Sequence, residues 1–217
     1  WFEQNIKRKY PPIKVEQEYP ATIEQALSLP QTVAFFDLKR LDVLSNDCVF
    51  EPLNVEGKFD THKGLVRIYK LPIAGQKYCV FCDPSDGFED PHVTIVLDVQ
   101  TGEEVACSYG KTKIEECAEI HDSLVRFYNR AHNSFDALGS SGGSFLVLLQ
   151  KMETPNIAQR RRGDGSVVEG KLGLYANSKS YQKLLLDGLA EAIKTGGIRP
   201  HTLSAIDEMR GLIRIAG

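Results

Sequence analysis

The chain has 217 residues, 42% apolar and 25% charged, enough to bury one good-sized core and typical of a globular domain. Its net charge of −3 excludes the uniformly basic surface of a protein that coats nucleic acid, but it allows basic residues gathered on one face. No run approaches the roughly 18 apolar residues of a membrane span, and no signal peptide is apparent.

Residues 1–55 read as an entry segment, polar with spaced aromatics over residues 1–9. They hold two short helical stretches, one capped by Thr22 with Gln25 at the return position of a capping box, the other over residues 35–44. Residues 64–70 alternate like a strand. Residues 77–83 form a continuous apolar run ending on Asp83, the pattern of a buried central strand. Residues 93–99 and 104–108 follow, with Thr101 and Gly102 in the turn between them. These consecutive strands predict an antiparallel meander.

Residues 115–132 carry Cys117, Ile120, Leu124, Phe127 or Tyr128, and Ala131 at helical spacing. A short strand-like segment, 133–138, leads to a glycine-serine turn over 139–143 and an apolar helix over 144–152. Residues 155–172 read as an exposed hairpin around the basic turn that starts at Arg160. A helix over 181–194 stops at Gly196 and Gly197, and residues 206–213 give a last helix. The order predicts an α/β fold, a mixed sheet flanked by helices.

The five cysteines, Cys48, Cys79, Cys82, Cys107 and Cys117, are odd in number and scattered, which reads as reduced and intracellular. Cys79 and Cys82 have the spacing of half a zinc site. A strand would put them on opposite faces, so they read as small core residues. The histidines, His62, His92, His121, His132 and His201, show no metal-ligand spacing.

Two aspartates stand out. Asp83 ends an apolar strand, where burial disfavours a charged carboxylate unless a cation or hydrogen bonds compensate. A hard divalent ion suits it, because Mg²⁺ and Mn²⁺ take oxygen ligands. Asp136 follows the long helix and precedes the glycines. If their strands are neighbours, both side chains reach one point. Asp90 could approach across the turn after Asp83. Asp98 reads as a hairpin-turn residue, and Glu115, Glu116, Glu119 and Asp122 as a solvated helix face. Arg160, Arg161 and Arg162, with Lys171, Lys179 and Lys183 nearby in sequence, suit contacts to nucleic-acid phosphates.

Several short patterns in order resemble the nuclease half of the large terminase subunit of tailed bacteriophages. Gln17-Glu18-Tyr19-Pro20 followed by Ala21, Thr22 and residues 24–26 is similar to the segment linking the packaging ATPase to the nuclease. Cys82-Asp83-Pro84, Gly87 and Asp90 resemble the first nuclease motif, and Tyr128-Asn129 with Asp136 the second, where the family often has Glu. Leu172-Gly173-Leu174, Asn177, Lys179 or Lys183, Leu185, Leu189, Gly197-Ile198 and Glu208 resemble the later part.

The resemblance implies a ribonuclease H-like domain over residues 56–217, preceded over residues 1–55 by a linker from an ATPase half. That half's G-x-x-x-x-G-K-[ST] loop does not occur in this sequence. It implies Asp83 and Asp136 as ligands of Mg²⁺ or Mn²⁺, two ions in all, with a third ligand beyond Gly217. It also implies cleavage of double-stranded DNA in the host cytoplasm, with the portal protein and small terminase subunit as partners. The opening at Trp1 without a Met reads as a fragment. Two other readings remain: a non-catalytic module docking DNA or portal, and another ribonuclease H-like enzyme such as a junction resolvase.

Overall fold

The computed structural model describes residues 34–48, 51–55, 57, 59 and 64–213; the helix expected at Thr22 lies outside them. A short helix α1 (Leu38–Asn46) comes first. Asp37 caps it, accepting a hydrogen bond from Arg40 N at 3.0 Å, so it begins three residues later than the pattern predicts.

Strands β1 (Val66–Ile68), β2 (Tyr78–Asp83), β3 (His92–Asp98) and β4 (Glu104–Gly110) follow. The predicted meander is present: β2, β3 and β4 pair antiparallel in succession, and β1 pairs outside β4. Helix α2 (Ile114–Phe127) then returns the chain across the sheet to β5 (His132–Phe135). That strand lies parallel to β2 and completes the order β1-β4-β3-β2-β5. A parallel neighbour needs such a crossover, because no tight turn can join two strands of the same direction.

One face of this sheet makes the core. Tyr78, Val80, Val96 and Ala106 pack on Ile120, Leu124 and Val125 of α2. Cys82 and Phe135 pack with Cys117, Phe145 and Leu149, the last two from helix α3 (Gly139–Lys151). Cys79, on the opposite face from Cys82, is only half-buried, and all five cysteines are free thiols. Asp98 organises the β3–β4 turn, accepting from Gln100 N at 2.8 Å and Thr101 N at 3.2 Å.

Two expectations shift for packing reasons. The helical spacing continues to Ala131, but α2 ends at Phe127. Tyr128 is held there by donating its hydroxyl to the Lys70 carbonyl at 2.7 Å. Asn129 and Arg130 then take left-handed φ values of 56° and 57°, turning the chain so that His132 enters the sheet. The glycine-serine stretch, expected as a turn, is the beginning of α3. A Cβ on Gly142 would stand 2.7 Å from the Asp136 carbonyl oxygen, so only glycine lets this helix start against the end of β5.

Beyond α3, strands β6 (Gln159–Arg161) and β7 (Val167–Leu172) form the expected hairpin as a separate two-stranded sheet. Helix α4 (Lys179–Thr195) ends at Gly196, whose φ is 77°. Helix α5 (Leu203–Gly211) follows, starting three residues before the expected position.

α4 and α5 join α1 in a second apolar cluster, built on Leu41, Leu44, Ile193 and Ile206. This cluster is tied to the sheet through β4. Cys107 faces away from the α2 core and lies 3.2 Å from Thr202 Oγ1. The buried Glu104 carboxylate accepts from His201 N at 2.6 Å and Thr202 N at 2.9 Å.

The close approach at Gly142 predicts that Gly142→Ala lowers stability by about 1–3 kcal/mol, read from urea unfolding. A second prediction concerns His121, fully buried between α2 and β5, with Nε2 3.1 Å from Asn133 Oδ1 and no described partner at Nδ1. Burial pulls its pKa from 6.5 to about 4, against the smaller upward effect of Asn133. The unfolded chain therefore takes the proton first. Stability is complete above about pH 6.5 and falls as the pH drops toward 4, by on the order of 3 kcal/mol in all. Unfolding midpoints measured across that window should fall less steeply in His121→Gln.

Candidate metal centre and adjoining groove

The parallel ladder between β2 and β5 decides where the two aspartates go. Its register pairs Cys79 with His132, Val80 with Asn133, Phe81 with Ser134 and Cys82 with Phe135. Cys82 and Phe135 both point into the same apolar cluster. One residue further, Asp83 and Asp136 therefore both project to the other side, because successive side chains alternate. Asp136 N donates to the Cys82 carbonyl at 2.8 Å, extending the ladder past the last paired residue. The two aspartates singled out in the sequence thus lie on one side of adjacent strands.

Their electrostatics agree with the geometry. Burial, then the Asp136 carboxylate, then that of Asp90, pushes the Asp83 carboxyl above its ordinary range. Asp90 therefore lies close enough to be felt, as the turn after β2 predicted. Asp136 Oδ1 accepts from Leu138 N at 2.9 Å, which fixes its side chain at the beginning of α3. Among the described residues none donates a hydrogen bond to the Asp83 carboxylate, and none is a cation that lowers its pKa.

The loop between β2 and β3 closes the site. Ser85 Oγ donates to the Asp90 carbonyl at 2.5 Å and accepts from Gly87 N at 3.0 Å. Gly87, with φ 78°, lies flat against Thr112: a Cβ there would be 2.2 Å from the Thr112 carbonyl oxygen. Thr112 Oγ1 in turn sits 3.0 Å from His92 Nδ1, and His92 Nε2 2.9 Å from Ser108 Oγ. The result is a cleft of about 420 Å³ lined by Asp83, Asp86, Glu89, Asp90 and Ser141. Phe88 stands at its rim, 85% exposed.

The oxygen-only donors fit a hard dication. Among the described residues, however, no group of three His, Cys, Asp or Glu is placed to enclose a metal ion.

The hairpin that carries the basic residues is rooted on β5, the strand that leads to Asp136. Ala158 N donates to the Asn133 carbonyl at 2.7 Å, and Leu174 N to the Phe135 carbonyl at 2.8 Å. A groove of about 480 Å³ runs over the open face of β5, past His132 and Ser134, to Arg161 and Tyr181. A second pocket of about 650 Å³ continues from those two residues between the hairpin and α4, and takes in Arg160 and Arg162.

The three lysines behave differently. Lys171 and Lys179 are exposed but line neither hollow, and Lys183 is paired with Asp187 at 2.5 Å. Sequence reasoning missed Ser141, hidden in a stretch read as a turn. It also missed Tyr175 and Tyr181, whose place by the arginines only the hairpin's path reveals.

A five-stranded mixed sheet with a meander, a helical crossover and a parallel strand carrying the second acid defines a ribonuclease H-like α/β domain. More narrowly, the chain has the fold of the large-terminase nuclease domains. The nuclease of thermophilic phage G20c with bound magnesium superposes with a TM-score of 0.61 at 18% identity, covering 87% of this chain and 90% of that one. The zinc-bound form gives 0.56 at 17%, covering 79% and 87%. The nuclease domain of Thermus phage P74-26 gives 0.55 at 17%, covering 78% and 76%. No family model and no curated protein matches the sequence.

The contact at Gly87 predicts that Gly87→Ala, which must relieve both the clash and the positive φ, destabilises the protein by about 2 kcal/mol. Amide exchange in residues 84–91 should rise in the same variant.

Proposed function

We propose that the chain is a metal-dependent endonuclease that cuts double-stranded DNA during viral genome packaging, as a terminase large-subunit nuclease domain. The observation that carries this reading is the pairing of Asp83 with Asp136 on one side of adjacent parallel strands, with no donor to the Asp83 carboxylate among the described residues. Solved phage nucleases of the same fold include magnesium- and zinc-bound forms, which supports divalent-metal use.

In this reading Asp83 and Asp136 would hold Mg²⁺ or Mn²⁺, with Asp90 available from the loop. Held there, such ions would supply activation of water and neutralisation of charge at the leaving oxygen of a phosphodiester. Asp136 contributes a carboxylate oriented by Leu138 N, and the Gly87 contact keeps the Asp90 side of the cleft in place. Arg160, Arg161 and Arg162 attract the phosphate backbone without reading bases. Residues 1–55 connect to an ATPase half, the portal protein and small terminase subunit are partners, and the site of action is the host cytoplasm. No helix among the described residues is long and apolar enough to cross a membrane.

Asp83→Asn should abolish Mn²⁺-dependent plasmid cutting while leaving the circular dichroism spectrum and unfolding midpoint near those of the wild type. Cutting at the wild-type rate by this variant contradicts the assignment. A second reading is a DNA-docking module without chemistry, which rests on the arginines that line the pocket beside the hairpin. It predicts salt-dependent duplex binding with no cleavage at saturating Mn²⁺.

A further inference from the structure

The pocket between the hairpin and α4 differs from the acid cleft in kind. Its rim carries Arg161 and Arg162, while its wall presents Tyr175, Tyr181, Val168 and Leu184. Leu184 is 53% exposed and Tyr175 36% exposed, so this apolar and aromatic surface meets solvent. Arg160 lies over the Tyr175 ring, its guanidinium carbon 4.4 Å from the centroid, with a buried Nε that has no described partner.

A paired duplex could touch the arginines through its phosphates. It could not reach the aromatic wall, because its bases are stacked and paired inside. A nucleotide freed from pairing satisfies both surfaces, with its phosphate on the arginines and its base against tyrosine and leucine. The hollow of about 650 Å³ has room for one or two such units.

Arg161 and Tyr181 border both this pocket and the groove over β5, and Ser134 in that groove lies two residues before Asp136, on the same side of the strand. We propose that this pocket binds an unpaired single-stranded DNA segment, holding the strand that flanks the cut. The inference deepens the nuclease reading and rests on it for what lies in the adjoining cleft.

The test measures binding of fluorescein-labelled hexathymidylate and of a labelled blunt duplex to the full chain by anisotropy, in chelator so that no cutting occurs. Wild-type protein should bind the hexathymidylate in a salt-dependent way. Tyr181→Ala and Leu184→Glu should each weaken that binding roughly tenfold while shifting duplex binding far less. Tyr181→Phe should restore it, since the ring is kept. Leu184 is exposed, so its variant tests the pocket without disturbing the core. Hexathymidylate binding unchanged in both variants, or weakened no more than duplex binding, overturns the proposal. Mn²⁺-dependent plasmid cutting by the wild type is measured in parallel. Its loss with oligonucleotide binding intact counts against the nuclease reading and not against the pocket.

Discussion

The hydrogen bond from Asp136 N to the Cys82 carbonyl is the outermost rung of the parallel ladder between β2 and β5. Strand geometry leaves little choice once that rung is in place. Cys82 and Phe135 must face the helices, and Asp83 and Asp136 must face away from them, on the same side and at the same height. A slip of one residue would send one carboxylate into the apolar cluster with Phe145 and Leu149 and leave the other alone. The core therefore enforces the register, and the register enforces the acid pair. Burying Cys82 and Phe135 is what makes two like charges stand together.

The same strand organises what lies around the pair. Its outer edge pairs with the two roots of the hairpin, at Ala158 and Leu174, so the arginines are carried on the element that carries Asp136. Gly173, with φ 77°, lets the second root pass the Phe135 ring, where a Cβ would come within 2.9 Å. The start of α3 presses on Asp136 from the other direction through Gly142 and Leu138. Acid cleft, groove and basic pocket are consequently fixed relative to a single short strand rather than assembled from independent loops.

Much of this was legible in the sequence, for reasons that differ by element. The run ending at Asp83 announced a central strand because it is apolar throughout, and the meander followed from short turns with Asp98 and Thr101-Gly102. The neighbour relation of Asp83 and Asp136 entered there only as a condition, since the order of elements does not fix the order of strands in the sheet; the ladder between β2 and β5 supplies it. The end of α2 was not legible, because Tyr128 and Ala131 stay buried after the helix stops and so prolong the helical pattern. The glycines at 139–143 imitated a turn, although their smallness serves a helix packed against backbone. Lys171 stands on the hairpin and Lys179 and Lys183 at the start of α4, yet none of the three lines the groove or the pocket, a matter of side-chain direction that proximity in sequence does not reveal. Tyr175 and Tyr181 carried no signal of their own.

The central claim is that Asp83 and Asp136 share one divalent ion, and Mn²⁺ binding followed by electron paramagnetic resonance tests it most directly. Asp83→Asn, Asp136→Asn and the double variant are compared with the wild type. If the two carboxylates serve one ion, each single variant loses nearly as much affinity as the double, since removing either breaks the same site. Losses that simply add, or binding that survives in both single variants, would show that the aspartates act separately.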